Sequence, residues 1–199
     1  MVAPGGLARY AAPEVVAVHW KPVALVVLVL LGASCGGCIC GASCPPSCTV
    51  ETLFVSPAVD GVIEARLISI LDAATRTVDL AMFSFTDDQL VDAVIRAHQR
   101  GVLIRVIRDG AQSAGSGDEN DQLRGAGIEV IVENLSGSMH HKFLVVDGTI
   151  TVTGSYNWSD AADQSNFENV VVIVCAEVAD DFTAEFNRIW NALKAGQTP

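Results

Sequence analysis

The sequence predicts an α/β domain in which a mixed, largely parallel β-sheet is flanked by helices on both faces. Strand-like and helix-like segments alternate with short connections through residues 49–133, a pattern typical of parallel strands joined by helices. The second strand segment is almost continuously apolar, which favours a strand that is covered on both sides. Each long helical segment carries one apolar face, so the helices are expected to pack on the sheet.

The first half of the domain predicts three strands and two helices. Ile63 begins a series of apolar residues at spacings of four, seven, eight and eleven, which defines one helical face. The stretch Thr86-Asp-Asp-Gln predicts the start of a second helix, and Gly101 follows its end. The three strands are predicted at residues 49–56, 77–85 and 102–107.

The second half predicts a loop, further strands and a closing helix. The turn Asp147-Gly148 joins two strand segments into a hairpin, residues 140–146 and 149–155. The closing helix is indicated by apolar residues on one side, namely Phe182, Phe186, Ile189, Trp190 and Leu193. The other segments are a Gly/Ser loop at 111–117, short helices at 121–126 and 159–164, and strands at 128–133 and 169–175.

The predicted domain, residues 49–199, is acidic. The chain has a formal net charge of −11, and the residues after 48 hold ten basic against twenty-two acidic side chains. Sequence-independent binding to duplex DNA depends on lysines and arginines that neutralise phosphates. We therefore expect no broad basic surface, and an anionic substrate would have to be held locally.

Residues 1–48 predict a signal peptide or a membrane or lipid anchor with a Cys-rich tether. Arg9 and Lys21 precede an uncharged apolar run at 22–42, and small residues lead into Cys35. A cleaved signal and a retained anchor both fit, since the run reaches the length of about 20 residues that a span requires. Lipidation of Cys35 is a further interpretation. The predicted location is export to a bacterial envelope, the periplasm or the medium.

Five of the six cysteines lie within fourteen residues, and Cys175 stands apart in an apolar run. The clustered cysteines predict disulfides or lipidation, a flexible tether, or a zinc site. The zinc interpretation has the weakest support because the spacing lacks paired C-x2-C knuckles. Cys175 is interpreted as a free cysteine packed in the core. The five clustered residues are Cys35, Cys38, Cys40, Cys44 and Cys48.

The hairpin carries the residues that point to chemistry. His140 and Lys142 share one face of a strand, while His141 points the other way and is assigned no role. Ser155 and Asn157 share a face of the paired strand. An imidazole, an ammonium, a hydroxyl and an amide in one patch suit a phosphate group. Glu168, at the head of the next strand, could hold the second ring nitrogen of His140. Tyr156 and Trp158, beside this patch, are interpreted as core residues.

The pattern H-x-K-x4-D-x6-G-S-x-N, from His140 to Asn157, resembles the phospholipase D superfamily. It is most similar to the short single-motif members, the bacterial endonucleases and the mitochondrial cardiolipin hydrolases. The resemblance covers about residues 50–193 and implies a phospholipase D-like α/β/α sandwich. It also implies that Asp147 is the aspartate of the motif, which we interpret as structural, stabilising the hairpin.

The resemblance implies a metal-independent phosphodiesterase that requires no cofactor. His140 would form a phosphohistidine, Lys142 and Asn157 would hold the nonbridging oxygens, Ser155 would support the phosphate pocket, and Glu168 would orient His140. Since the chain has one motif where larger members have two, the resemblance implies a homodimer with a shared active site.

The motif leaves the substrate open. An endonuclease acting on DNA or RNA is the first expectation. A phospholipase D that hydrolyses phosphatidylcholine or cardiolipin is the alternative, with membrane association through residues 22–42. An inactive phosphate-binding or tethering module is an alternative from another class.

Overall fold

A seven-stranded sheet organises the computed structural model, which describes residues 48–114, 119–134 and 137–199. The apolar run 22–42 and the cysteines before Cys48 lie outside the described residues. The strands are β1 (Thr49–Val55), β2 (Thr77–Met82), β3 (Leu103–Asp109), β4 (Glu129–Glu133), β5 (Lys142–Val146), β6 (Ile150–Gly154) and β7 (Glu168–Val174). The helices are α1 (Val62–Ala73), α2 (Asp88–Gln99), α3 (Asn120–Gly125), α4 (Asp160–Gln164) and α5 (Ala176–Lys194), with a 3-10 turn at Gln112–Ala114.

The strands follow the order β1-β7-β6-β5-β2-β3-β4. Strand β3 lies parallel to both β2 and β4, whereas the other four pairings in the described sheet are antiparallel. The mixed α/β fold class is confirmed, but the expectation of a largely parallel sheet is wrong. The physical reason is the hairpin: β5 inserts beside β2 in the antiparallel sense, and the β5–β6 turn and the longer connection through α4 continue that sense to β6 and β7.

Helices cover both faces of the sheet, as predicted. On one face α1 and α2 pack on the central strands, and the predicted apolar face of α1 is buried there: Ile63, Leu67, Ile70, Leu71 and Ala74. On the other face α5 packs against Ala81, Ile107, Phe143 and Val145 through Phe186, Ile189 and Trp190. The sheet is therefore buried on both sides at its centre, which explains the continuous apolar run in β2.

Two aspartate side chains hold the starts of α1 and α2. The Asp87 carboxylate accepts a hydrogen bond from the Leu90 backbone N–H and caps α2, as the polar start of that helix predicted. Both carboxylate oxygens of Asp163, in α4, accept from the Gly61 N–H at 3.0 Å. Gly61 precedes α1 with a φ of 71°, a conformation that favours glycine. Asp163 therefore ties the start of α1 to the segment that follows the catalytic hairpin.

Cys175 is not a free core cysteine. It is buried, but it forms a disulfide with Cys48, so this part of the sequence interpretation is wrong. The disulfide is possible because β1 and β7 are antiparallel neighbours in which Thr49 pairs with Val174. Cys48 and Cys175 thus extend the same ladder by one residue each. In the described part of the chain no helix is long and apolar enough to cross a membrane.

Candidate active site

The residues of the predicted motif gather at one edge of the sheet. Lys142 is the first residue of β5, Ser155 follows the last residue of β6, and Glu168 is the first residue of β7. Because these three strands alternate in direction, the start of β5, the end of β6 and the start of β7 lie at the same edge. The edge is completed by Phe83 and Ser84, which follow β2. The topology therefore assembles the site from segments up to 85 residues apart in sequence.

His140 is exposed at this edge, and Lys142 lies beside it. The Lys142 ammonium is 3.3 Å from Nδ1 of His140 and donates to the His140 carbonyl oxygen at 3.1 Å. The imidazole also packs on the Phe83 ring, with 4.3 Å between ring centroids. The Phe83 backbone N–H donates to the His141 carbonyl oxygen at 2.9 Å, which fixes the segment that carries His140. These contacts involve the ring face and Nδ1, and Nε2 has no partner among the described residues.

The Lys142 ammonium is partly desolvated. It lies 4.8 Å from the centroid of the Phe83 ring, a cation–π contact. Burial lowers the pKa of Lys142 below its ordinary value, while the negative charge of Glu168 acts in the opposite direction. Lys142 and Glu168 are thus close enough to interact electrostatically. A partly buried cation next to an imidazole is suited to binding one phosphate group.

Ser155 and Glu168 form a second group at the edge. The Ser155 hydroxyl donates to one oxygen of Glu168 and accepts hydrogen bonds from the backbone and side-chain amides of Asn169, at 3.1 and 3.3 Å. The other oxygen of Glu168 accepts from the Asn166 side chain at 2.9 Å. No hydrogen bond joins Glu168 to His140 within the described chain. The role of Glu168 in orienting His140 therefore stays a prediction.

Asn157 contacts the segment that follows β2. Its side-chain oxygen accepts a weak hydrogen bond from the Ser84 N–H at 3.4 Å, and the next residue, Trp158, donates its N–H to the Ser84 carbonyl oxygen. The oxygen of the amide is held by the end of β2, which leaves the amide nitrogen as the donor for a substrate oxygen. Tyr156 and Trp158 on either side are buried, as expected of core residues.

The glycine of the motif has a steric role. Gly154 ends β6 where the backbone passes close to β7, and a Cβ added at this position would overlap the carbonyl oxygen of Asn169. That close approach allows the Ser155 N–H to donate to the same carbonyl oxygen at 3.1 Å. Gly154 therefore positions Ser155 beside Glu168 and Asn169.

Two motif neighbours point away from the edge. Asp147 lies in the β5–β6 turn at the opposite end of β5, where its carboxylate accepts hydrogen bonds from Thr75, Arg76 and Thr77. His141 lies 3.6 Å from a carboxylate oxygen of Glu185 on α5. The side chains of Asp147 and His141 are thus paired with residues other than His140, Lys142, Ser155 and Glu168. The structural role of Asp147 and the absence of a role for His141 stay predictions.

Three residues of the site were assigned no role from the sequence. Phe83 packs on His140, Asn166 donates to Glu168, and Asn169 donates to Ser155. Asn166 and Asn169 lie just before and at the start of the predicted strand 169–175. Their polar amide side chains at that position were the signal that could have identified them. The contact of Phe83 depends on the pairing of β2 with β5, which no local pattern encodes.

The described residues include one grouping of side chains with metal-ligand chemistry, Cys48, Cys175 and Glu177. It lies at the end of β7 away from Glu168, and its two sulfurs are joined in the disulfide. Zinc binds thiolates, and disulfide sulfurs are not thiolates. This grouping therefore has no connection with the candidate active site.

The fold and motif can now be compared with known proteins. The family described as "Cardiolipin synthase, PLD-like domain" matches residues 67–190, more than half of the chain. Mitochondrial cardiolipin hydrolase from Homo sapiens is 44% identical over 126 residues, which cover 63% of this chain and 50% of that protein. The protein of the same name from Xenopus tropicalis is 42% identical over 126 residues, covering 63% of this chain and 60% of that protein. The matched region thus spans about half to three fifths of these two relatives.

A solved structure is similar over almost its whole length. It is a phospholipase D family member, Nuc, from Salmonella typhimurium, with a TM-score of 0.68 and 26% identity. The match covers 73% of this chain and 95% of that chain. NucT from Helicobacter pylori also has a TM-score of 0.68, and at 21% identity it supports the fold alone. The matched family region contains every residue from Phe83 to Asn169 that forms the edge described above.

Proposed function

We propose that this chain, which belongs to the phospholipase D superfamily and is a phosphodiesterase, hydrolyses a phospholipid phosphodiester through a phosphohistidine at His140. The observation that carries the proposal is the contact of Lys142 with Nδ1 of His140 at 3.3 Å. It places a cation and an available ring nitrogen side by side at an open edge. A nucleophile next to a phosphate-binding cation is what attack on phosphorus requires.

In the first step, the Lys142 ammonium turns from Nδ1 of His140 to the phosphate of the substrate, which lets the ring carry its proton on Nδ1. The lone pair on Nε2 then attacks the phosphorus as the bond to the leaving oxygen breaks. The Lys142 ammonium and the Asn157 amide hold the nonbridging oxygens, where negative charge accumulates in the transition state. Ser155, fixed by Glu168 and Asn169, supports the pocket. In the second step, water attacks the phosphorus, the nitrogen–phosphorus bond breaks, and His140 is released.

The leaving oxygen needs a proton, and we propose that it comes from a second copy of the chain. In the described residues His141 contacts Glu185, and His98 contacts the Val102 carbonyl oxygen away from the edge. Neither side chain is paired with His140 or Lys142. A homodimer that brings together two His140 side chains would supply a nucleophile and an acid. Sedimentation of the active enzyme should give a dimer, and full activity in a monomer would refute the shared site.

Charge supports a phospholipid over a nucleic acid, which reverses the first expectation from sequence. At least six of the ten basic side chains after residue 48 already form ion pairs within the chain: Arg66, Arg96, Arg100, Arg105, Arg188 and Lys194. Few basic side chains therefore remain to neutralise the phosphates of a nucleic-acid backbone. Similarity to the mitochondrial cardiolipin hydrolases supports the same choice.

Single-stranded nucleic acid is the second candidate. The catalytic edge is open, and exposed aromatic side chains beside it, such as the 84% exposed Phe167, are of the kind on which bases stack. Lys142 would then bind one phosphate, and stacking of bases on these aromatic side chains would take the place of a continuous basic surface.

The experiment that tests the function uses the full chain and two matched variants, His140→Ala and His141→Ala. Each protein is assayed on vesicles of phosphatidylcholine with and without cardiolipin, and on single-stranded and duplex nucleic acid. We expect release of a phospholipid headgroup by wild type and His141→Ala, and none by His140→Ala. Cleavage of nucleic acid without lipid turnover would select the second candidate. Equal turnover by His140→Ala would refute the mechanism.

We also propose that the chain is exported, as residues 1–48 predict. Disulfides persist in oxidising compartments, and Cys48–Cys175 supports such a location. The similar relatives are named as mitochondrial proteins, so a location must be measured for this chain itself. Fractionation of the native host, with protection of the cysteines from alkylation as a second readout, tests it. Recovery in the cytoplasm with free thiols would refute export.

A further inference from the structure

An apolar surface lies directly beside the catalytic edge. Phe54, Val59 and Phe167 are 67%, 51% and 84% exposed, although large apolar side chains are usually buried. These three residues, which we name the apolar shelf, line a groove of about 400 Å³ together with Glu168 and Asn169. The groove therefore joins the shelf to the group that holds Ser155.

The backbone holds the shelf rigidly. Phe54 pairs with Asn169 in the β1–β7 ladder, and Val55 pairs with Glu168. Val59 is fixed by two backbone hydrogen bonds with Ser56, at 2.9 and 2.8 Å. Along β1 the side chains alternate, so Val55 is buried in the core while Phe54 points to solvent. The exposure of Phe54 thus results from the strand register and is not a property of a loose loop.

Three kinds of occupant could cover such a surface, and charge and size distinguish them. None of the described residues lining the groove is a lysine or an arginine, whereas stacking surfaces for single-stranded nucleic acid also carry cations for the backbone. Three side chains are few for a stable protein interface, which buries about 800 Å² on each partner. Insertion into a lipid surface is stabilised by the apolar area that is buried, and attraction between cations and anionic lipids is a separate contribution that a zwitterionic surface does not require.

The chain itself supplies a reason for a bilayer to be near. The uncharged apolar run at 22–42 precedes β1, and Phe54 is only the twelfth residue after Ala42. Twelve residues span at most about 40 Å when fully extended. A run that binds a membrane would hold the shelf within that distance of the lipid. The acidity of the domain favours a zwitterionic surface over an anionic one.

We propose that the apolar shelf is a membrane-docking surface that inserts into a zwitterionic phospholipid bilayer and turns the catalytic edge towards the lipid headgroups. Docking of this kind is independent of turnover. It would orient the enzyme on a membrane whichever phosphodiester His140 attacks, so it goes beyond the proposed function.

The test places a tryptophan on the shelf in the full chain. Phe167→Trp and Phe54→Trp are made in a Trp20→Phe background, and Leu103→Trp is the matched control. Leu103 is 71% exposed and begins β3, at the edge of the sheet opposite to the catalytic residues. The native Trp158 and Trp190 are buried and contribute a constant signal that the background protein measures.

With phosphatidylcholine vesicles that carry brominated acyl chains, we expect a blue shift and at least twofold quenching for both shelf tryptophans, and none for Leu103→Trp. The same result is expected in His140→Ala, which separates docking from catalysis. Absence of quenching at the shelf, or equal quenching at Leu103→Trp, would overturn the proposal. A blue shift that instead depends on protein concentration would show that the shelf contacts a second copy of the chain. A blue shift that depends on added oligonucleotide would show that the shelf binds nucleic acid. Either result overturns membrane docking.

Discussion

Thr75 donates both its backbone N–H and its hydroxyl to one carboxylate oxygen of Asp147, at 3.0 and 2.8 Å. The other oxygen accepts from the backbone N–H groups of Arg76 and Thr77, at 2.7 and 2.9 Å. Asp147 stands in the β5–β6 turn with a φ of 54°, uncommon for a residue other than glycine. One carboxylate thus joins the catalytic hairpin to the segment that leads into β2, seventy residues earlier.

Asp147→Asn should destabilise the fold without touching the catalytic edge. An amide offers one acceptor oxygen in place of two, so at least two donors lose a charged partner. We expect a loss of about 1–3 kcal/mol in the free energy of unfolding. Urea unfolding at neutral pH measures it, with the exposed Asp92→Asn on α2 as the control. Equal stability of the two variants would contradict the structural role.

The same carboxylate predicts a pH dependence of stability. Burial acts to raise the pKa of Asp147, but hydrogen bonds from Thr77, Thr75 and Arg76 outweigh it and hold the pKa below its ordinary value. A depressed pKa contributes stability above the unfolded value of about 3.9, and that contribution disappears as the pH falls through the folded value. The difference between wild type and Asp147→Asn should therefore shrink below about pH 4. A difference that stays constant to lower pH would contradict the assignment.

Lys142 should set the alkaline limb of the activity. Burial lowers its pKa and the Glu168 carboxylate opposes that effect, so the ammonium loses its proton at a lower pH than an ordinary lysine. Rates measured on a soluble phosphodiester should fall on that limb. Glu168→Gln should move the limb to lower pH because the opposing charge is removed. Lys142→Arg should abolish the limb, since a guanidinium keeps its proton. An unchanged limb in both variants would exclude Lys142 as its source.

Ser155 is expected to act by positioning Glu168 and Asn169. Ser155→Ala removes the hydroxyl that bonds both residues, and small displacements in an active site can reduce kcat by about tenfold to a hundredfold. Ser155→Thr retains the hydroxyl and should recover most of the activity. Steady-state kinetics with a far-ultraviolet spectrum for each variant checks the prediction. Equal activity of the Ala and Thr variants would show that the hydroxyl is not required.

The disulfide should stabilise the domain by restricting its unfolded state. Cys48 and Cys175 are 127 residues apart, and long closed loops of this kind contribute about 2–4 kcal/mol in typical cases. Cys175→Ser should lower the unfolding free energy by that amount, and wild type in a reductant should match it. The control is Cys175→Ser in the same reductant, which should not change further. An unfolding free energy of wild type that is unchanged by the reductant would refute the prediction.

Activity should persist after metal removal. The proposed steps use a ring nitrogen, an ammonium, an amide and water, and none is routed through a metal. We expect the rate of a dialysed enzyme to be unchanged by a chelator such as EDTA. Loss of activity that added zinc or magnesium restores would contradict a metal-independent mechanism.

Local patterns in the sequence predicted the helices and the hairpin well. The period of α1 and the polar start of α2 depend on neighbours within one or two turns, and both helices form where expected. The Asp147-Gly148 turn likewise determines its own hairpin. Such features require no knowledge of distant segments. The residues predicted to bind phosphate could be grouped for the same reason, since all but Glu168 lie on that hairpin or directly after it.

Long-range pairings were not predictable in the same way. Strands and helices do alternate from β2 to β4, and this alternation suggested a largely parallel sheet. The alternation gives no information on the insertion of β5 beside β2. The contact of Phe83 with His140 follows from that insertion. Cys175 looked like an isolated core residue because its partner is a member of the distant cysteine cluster. In each case the missing information was which strands are neighbours.

The Cys48–Cys175 disulfide closes a covalent ring that contains the whole catalytic motif, from β1 to the end of β7. A protease that cuts one peptide bond inside the ring produces two pieces that stay attached, and they separate on a denaturing gel only after reduction. A cut before Cys48 instead releases the amino-terminal segment at once. Limited proteolysis followed by gels with and without reductant would therefore distinguish loss of the amino-terminal segment from cleavage within the domain.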